Sequence, residues 1–206
     1  MKTDDLIRAL AQDTIANARP GAVLIRTLPA AVAASALLLW ASLGFRADPA
    51  PLMRLALMLM VAGVGLGLGW RLLRPEARVA PGSLLGPVLV PLALAVGLLV
   101  WALSETPPSG WLPAWQGQTR VACLISVPML SVPPVAAVLA SFRAGATRRP
   151  GLAGALAGLA GGGLGAAVYA LHCTEDSPLF YVSWYGLGIA LVTAASALLG
   201  KRVLRW

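Results

Sequence analysis

Two cysteines, Cys123 and Cys173, and the residues around the second of them carry most of the chemistry this chain can offer. A thiol pair can close into a disulfide, react with an oxidant or ligate a soft metal ion. His172 adds an imidazole, and Glu175 and Asp176 add hard oxygens, so a small site with Cys123, Cys173 and His172 as metal ligands is chemically conceivable. A permanent staple between two helix ends, or two inert buried thiols, uses the same residue types, since cysteine in an apolar helix often behaves as a small hydrophobe. There is no Cys-x-x-Cys motif, which argues against a thiol oxidoreductase. What the thiols do depends on the elements that place them.

Those elements are long and apolar. The chain is 58% hydrophobic and 12% charged, with a mean hydropathy of +0.79, a balance no soluble core hides. Six runs approach the roughly 20 residues that a helix needs to cross a bilayer, near 27–45, 52–70, 84–103, 121–142, 152–171 and 180–199. The fold class is therefore all-α, a polytopic membrane protein with six transmembrane helices. The first run is preceded by a long segment bearing Asp4, Asp5 and Asp13 in place of a short basic stretch, so it is expected to stay attached and not be cleaved as a signal peptide.

Charge placement sets the expected topology. Thirteen of the sixteen Lys and Arg fall on the side of the two termini, with only Arg46, Arg54 and Arg120 opposite. This asymmetry predicts both termini in the cytoplasm, and it makes the net charge of +8 a matter of topology with no direct nucleic-acid contact implied. Cys123 and Cys173 then lie at the same depth, toward the oxidising face. The expected organisation is a cytoplasmic segment over 1–26, a six-helix bundle over 27–200 and a tail over 201–206.

Three segments have special character. Gly151, Gly154, Gly158, Gly162 and Gly165 recur every three or four residues in the fifth run, a bare face suited to close helix packing more than to a substrate path. Pro128, Pro133 and Pro134 predict a fourth span kinked or broken midway. Between the third and fourth runs, Pro107, Pro108 and Pro113 exclude a long helix, while Trp111 and Trp115 suit an interfacial anchor better than a lid.

The N-terminal segment reads as a short amphipathic helix. Thr3 is a candidate N-cap, Asp4 and Asp5 suit the positive end of the helix dipole, and Leu6, Ile7 and Leu10 form an apolar stripe. Such a marginal helix can order in a partner's groove or lie on the inner leaflet.

The block from Tyr169 to Phe180, with its His-Cys-x-Glu-Asp-Ser-Pro run ahead of Trp184 and Tyr185, resembles the NrsF family, negative regulators of sigma F. Pro133–Pro134, the loop from Arg143 to Pro150 and the segment from Met1 to Asp13 match it too, so the resemblance covers essentially the whole chain. It implies a six-span anti-sigma factor of the bacterial inner membrane, not an enzyme. Its N-terminal segment would hold an extracytoplasmic-function sigma factor through Thr3, Asp4, Asp5, Leu6, Ile7, Leu10 and Asp13. Cys123 and Cys173 would answer heavy-metal or oxidant stress, with His172, Glu175 and Asp176 beside them. No cofactor is required, and a soft metal ion enters only as a signal. The alternative is a small transporter or channel, which would need polar groups at mid-depth that the runs do not supply.

Overall fold

In the computed structural model the described residues are 3, 19–49, 51–74 and 81–205, with backbone alone at 81 and 84. They form seven helices: α1 (Pro20–Ser42), α2 (Leu52–Leu72), α3 (Pro81–Glu105), α4 (Pro108–Gln116), α5 (Arg120–Arg143), α6 (Pro150–Tyr169) and α7 (Pro178–Val203). Six of them, all except α4, are long and apolar enough to cross a membrane. The first helix begins at Pro20, well before the expected Thr27. Asp4, Asp5, Leu6, Ile7, Leu10 and Asp13 lie outside the described residues, and Thr3 is exposed.

Alternating direction gathers the helix ends into two groups. At one end the Ser141 hydroxyl of α5 donates to the Pro20 carbonyl of α1 at 2.8 Å, and Gly151 of α6 packs on the Lys201 side chain of α7. We call this the terminal end. The opposite, cysteine end holds Arg46, Arg54, Thr119 and the segment from Ala170 to Ser177 between α6 and α7.

Helix α6 is the axle of the bundle, packed between α2, α5 and α7, while α1 leans on α5 and α3 lies at the periphery against α2 and α7. Glycine explains why α6 sits there, since a helix without side chains lets neighbouring backbones approach. The bare surface proves to be wider than one face. Gly154 and Gly158 receive α7 at Ser196, Thr193 and Gly200; Gly161 and Gly165 receive α5 at Val135 and Ser131; Gly163 receives α2 at Met58 and Ala62. The glycine seam is thus consumed inside the bundle. Around α3 packing is looser, leaving an apolar cleft of about 280 Å³ lined by Met58, Pro91, Ala95 and Ile189.

Of the two expected outcomes for the fourth span, a kink or a break, the break is not found: α5 is one continuous helix through Pro128, Pro133 and Pro134. Each proline leaves the carbonyl four residues earlier without its amide donor, and for Pro134 that carbonyl is Leu130. A neighbour supplies the replacement. Ser35 of α1, fully buried, donates its hydroxyl to the Leu130 oxygen at 2.8 Å.

Two contrasts test this packing. A Cβ at Gly163 would stand 2.7 Å from the backbone nitrogen of Ala62, whereas one at Gly67 would meet nothing within 4 Å. Gly163→Ala should therefore cost about 1–3 kcal/mol, the usual penalty for overpacking, and Gly67→Ala nothing measurable, as read by reversible unfolding in detergent. Ser35→Ala should cost roughly 0.6–1.7 kcal/mol, the range found for interhelical hydrogen bonds in membranes. Equal stability of the Gly163 and Gly67 variants would overturn the account of the seam.

Candidate functional site

The polar chemistry of the described residues concentrates at the cysteine end, organised around a residue given only a topological role by the sequence reading. Arg54 is the third residue of α2 and is 0% exposed. Its guanidinium reaches the turn after α6, where Nη1 donates to the Glu175 carbonyl at 2.8 Å and Nη2 to the carbonyls of Ala170 and Cys173, both at 3.0 Å. A helix C-terminus leaves carbonyls without intrahelical donors and carries the negative end of the helix dipole, so a buried cation satisfies both needs.

Arg46 closes the same loop from the α1–α2 connection. Its backbone N–H donates to the Leu171 carbonyl at 2.9 Å, and its Nη1 donates to the Cys173 carbonyl at 2.9 Å. The two guanidinium nitrogens grip Asp176 at 2.8 and 3.1 Å in a fork, and Arg54 Nη1 stands 3.3 Å from the same carboxylate. Arg46 hydrogen bonding, helped by the Arg54 charge, holds the Asp176 carboxyl below the usual carboxylate range, although partial burial opposes it.

Both cysteines are free and buried. Cys123 sits in the first turn of α5, Cys173 four residues beyond the end of α6, and the two belong to one packed cluster with Tyr169, Tyr181 and Tyr185. The Thr119 hydroxyl lies 3.9 Å from the Cys173 sulfur. The other expected site residues are committed elsewhere. His172 Nδ1 donates to the Gly44 carbonyl at 3.1 Å, Glu175 Oε1 accepts from the Gln118 amide at 2.7 Å, and Asp176 faces the two arginines. Among the described residues no three His, Cys, Asp or Glu side chains come together as a metal-holding group. The structure therefore gathers the two thiols into one cluster and directs His172, Glu175 and Asp176 into holding the loop.

Sequence reasoning missed Arg54, Arg46, Thr119 and the tyrosines as parts of one site. A usable signal was present for Arg54, a cation inside an apolar run and on the side where cations are scarce. The tryptophan segment also belongs here. Trp184 of α7 donates its indole N–H to the Trp115 carbonyl at 2.8 Å, the two rings stand 5.3 Å apart, and Trp111 donates to the Thr106 carbonyl. At Gly117, with φ of 52°, a Cβ would drive into the ring of Phe180 and lie 3.0 Å from the Glu175 carboxyl carbon. Only glycine lets the α4–α5 turn press on the cysteine loop in this way.

The described residues thus form six helices of membrane-crossing length with both thiols gathered in one packed cluster at a polar end. The comparisons supply the class. Residues 10–206 match the family model described as "Negative regulator of sigma F". The curated relatives include the "Probable anti-sigma-F factor NrsF" of Azospira oryzae, 37% identical with 100% of both chains covered, and the "Anti-sigma-F factor NrsF" of Caulobacter vibrioides, 32% identical with 100% of both covered. The chain belongs to the NrsF family of anti-sigma factors. No solved structure matches it.

The ion network makes two predictions. Arg54→Met, which leaves the Ala170 and Glu175 carbonyls without their donors, should destabilise the protein by about 1–3 kcal/mol for each stranded acceptor, with unfolding at correspondingly lower denaturant. Because the native pKa of Asp176 is lowered, the stability it contributes is complete above about pH 4 and is lost as pH falls through the depressed native value. Protection factors of residues 170–177, corrected for the slower intrinsic exchange in acid, should fall on acidification over that window. Loss of the acid-induced step in Asp176→Asn would tie it to this carboxylate; an unchanged step would break the link.

Proposed function

We infer that this anti-sigma factor holds an extracytoplasmic-function sigma factor at the bacterial inner membrane through its cytoplasmic N-terminal segment and releases it on a heavy-metal or oxidant signal received by Cys123 and Cys173. The observation that carries this reading is the joining of both thiol positions to rigid parts of the bundle. Cys173 is clamped through its own carbonyl to α2 and to the α1–α2 connection, while Cys123 begins the helix whose far end meets Pro20 through Ser141. The distribution of Lys and Arg supports termini in the cytoplasm and thiols toward the periplasm.

On this reading, ligation or oxidation of the thiols pulls the start of α5 toward the loop after α6, and the changed position of α5 is felt where α1 begins. To move a bundle from 1:99 to 99:1 between holding and releasing, the signal must favour the released state by about 5.5 kcal/mol, within what thiolate–metal bonds supply. Leu6, Ile7 and Leu10 provide burial for the sigma contact, and Thr3, Asp4, Asp5 and Asp13 provide a cap and steering charge toward a basic surface.

The test is recovery of the tagged chain from native membranes in mild detergent, with and without cadmium or a thiol oxidant. A sigma factor that co-purifies and is shed on treatment is the expected result, and the Cys123→Ser/Cys173→Ser double variant should capture it without shedding it. Shedding by the double variant would end the thiol mechanism while leaving sigma capture in place. Reversing the charge of Asp4 and Asp5 should weaken capture; undiminished capture would move the contact to the inner loops.

A further inference from the structure

The helix ends opposite the cysteines form a face of one sign. Every Lys and Arg described at the terminal end is exposed. Both ion pairs of the described residues lie at the other end, as do the described carboxylates Asp48, Glu105, Glu175 and Asp176. The sequence puts only Asp4, Asp5, Asp13 and Glu76 on the terminal side against thirteen Lys and Arg, so the excess stands with or without them. Packing makes the face continuous. The Trp70 ring closes on Gly21, next to Arg71 and the start of α1; Leu73 closes on Gly145, next to Arg74 and the α5–α6 loop; the Lys201 stem lies across Gly151, two residues beyond Arg149.

Helix dipoles account for part of this charge. Arg71, Arg143, Lys201 and Arg202 stand in the last turns of α2, α5 and α7, where a cation is favoured. Arg19 and Arg149 stand instead at the N-caps of α1 and α6, with no side-chain cap and no acid in the first turn, and Arg148 precedes the second of them. A cation at the positive end of a helix is repelled by it, so the countercharge for these arginines comes from outside the bundle. Depth selects its source. Arg26 follows Ile25, 76% exposed, and Arg71 follows Trp70, 37% exposed, so both side chains emerge where apolar surface meets the polar layer. Lipid phosphates occupy that level, and a soluble acidic partner does not. We propose that the terminal end binds anionic phospholipid, with the headgroup phosphates seated on the cationic face around Arg19, Arg148 and Arg149. Lipid bound there fixes the level at which α1 begins. This proposal is independent of the thiol reading.

Native mass spectrometry of the purified full-length chain in a neutral detergent, titrated with phosphatidylglycerol, phosphatidylcholine or inorganic phosphate, tests it. Wild type should take up phosphatidylglycerol in preference to phosphatidylcholine. In Arg19→Gln/Arg148→Gln/Arg149→Gln that preference should fall by about fivefold for each arginine replaced. Arg120→Gln, at the cysteine end, should keep it, and so should Arg19→Lys/Arg148→Lys/Arg149→Lys, which retains the charge. Equal uptake of the two lipids by wild type overturns the proposal, as does a triple glutamine variant that keeps the preference. A matching loss in Arg120→Gln reduces the effect to net charge, and a matching loss in the lysine variant reduces it to a damaged fold; each overturns the proposal. Saturation by inorganic phosphate at the concentrations where the lipid binds would make the ligand a free anion and overturn it too.

Discussion

The constraint on which this end of the molecule depends is a buried cation. A guanidinium withdrawn from water pays a large desolvation penalty, and its return must come from acceptors placed around it. Arg54 finds them in the carbonyls of Ala170, Cys173 and Glu175 and in the carboxylate of Asp176. The carbonyls of Ala170 and Glu175 would otherwise be stranded, because they belong to a turn too irregular to satisfy its own backbone, and that of Cys173 would keep Arg46 alone. Charge and loop thus solve each other's problem. Arg54 anchors the loop from inside, and Arg46, the Gln118 amide and the Gly44 carbonyl fix it from its rim.

The second constraint is the run of glycines on α6. Glycine contacts toward α2, α5 and α7 bring three backbones against one, so that neighbouring helices meet through main chain at Ala62, Val135, Thr193 and Ser196. Contacts of this kind do not yield by rotamer change, and a displacement of one helix must be taken up by whole-helix movement. Helices α1 and α3 lie outside this glycine-mediated arrangement, α1 resting on α5 and α3 on α2 and α7.

Much of this was legible beforehand, and the limits have physical reasons. Spans announce themselves because a bilayer imposes a length and a polarity, and Gly151 to Gly165 announce close packing because no other face is so bare. Cys123 and Cys173 could be assigned to one end because alternating spans fix depth. Arg54 escaped because a cation near a helix end satisfies a topology rule equally well when solvated or buried, and only the path of residues 170–176 decides between the two. The prolines were legible only in part, for a similar reason. Their lost hydrogen bonds belong to α5, but the remedy at Leu130 comes from Ser35, 95 residues away, and no local pattern encodes it.

That remedy also bears on how the two ends of the bundle communicate. Helix α5 connects Cys123 to the terminal end, and its three internal prolines remove three of the amide donors that would otherwise hold its shape. At Leu130 it borrows a donor from α1, and at Ser141 it lends one to Pro20. The attachments of α1 therefore lie beside the weakest stretch of α5 and at its far end. Between the two attachments α1 itself carries Pro29, so both helices of the pair lose internal hydrogen bonds along this stretch. The pair is joined instead by hydroxyl-to-carbonyl hydrogen bonds given by each helix to the other, one near mid-length and one at the terminal end, with no charged group needed in the apolar interior.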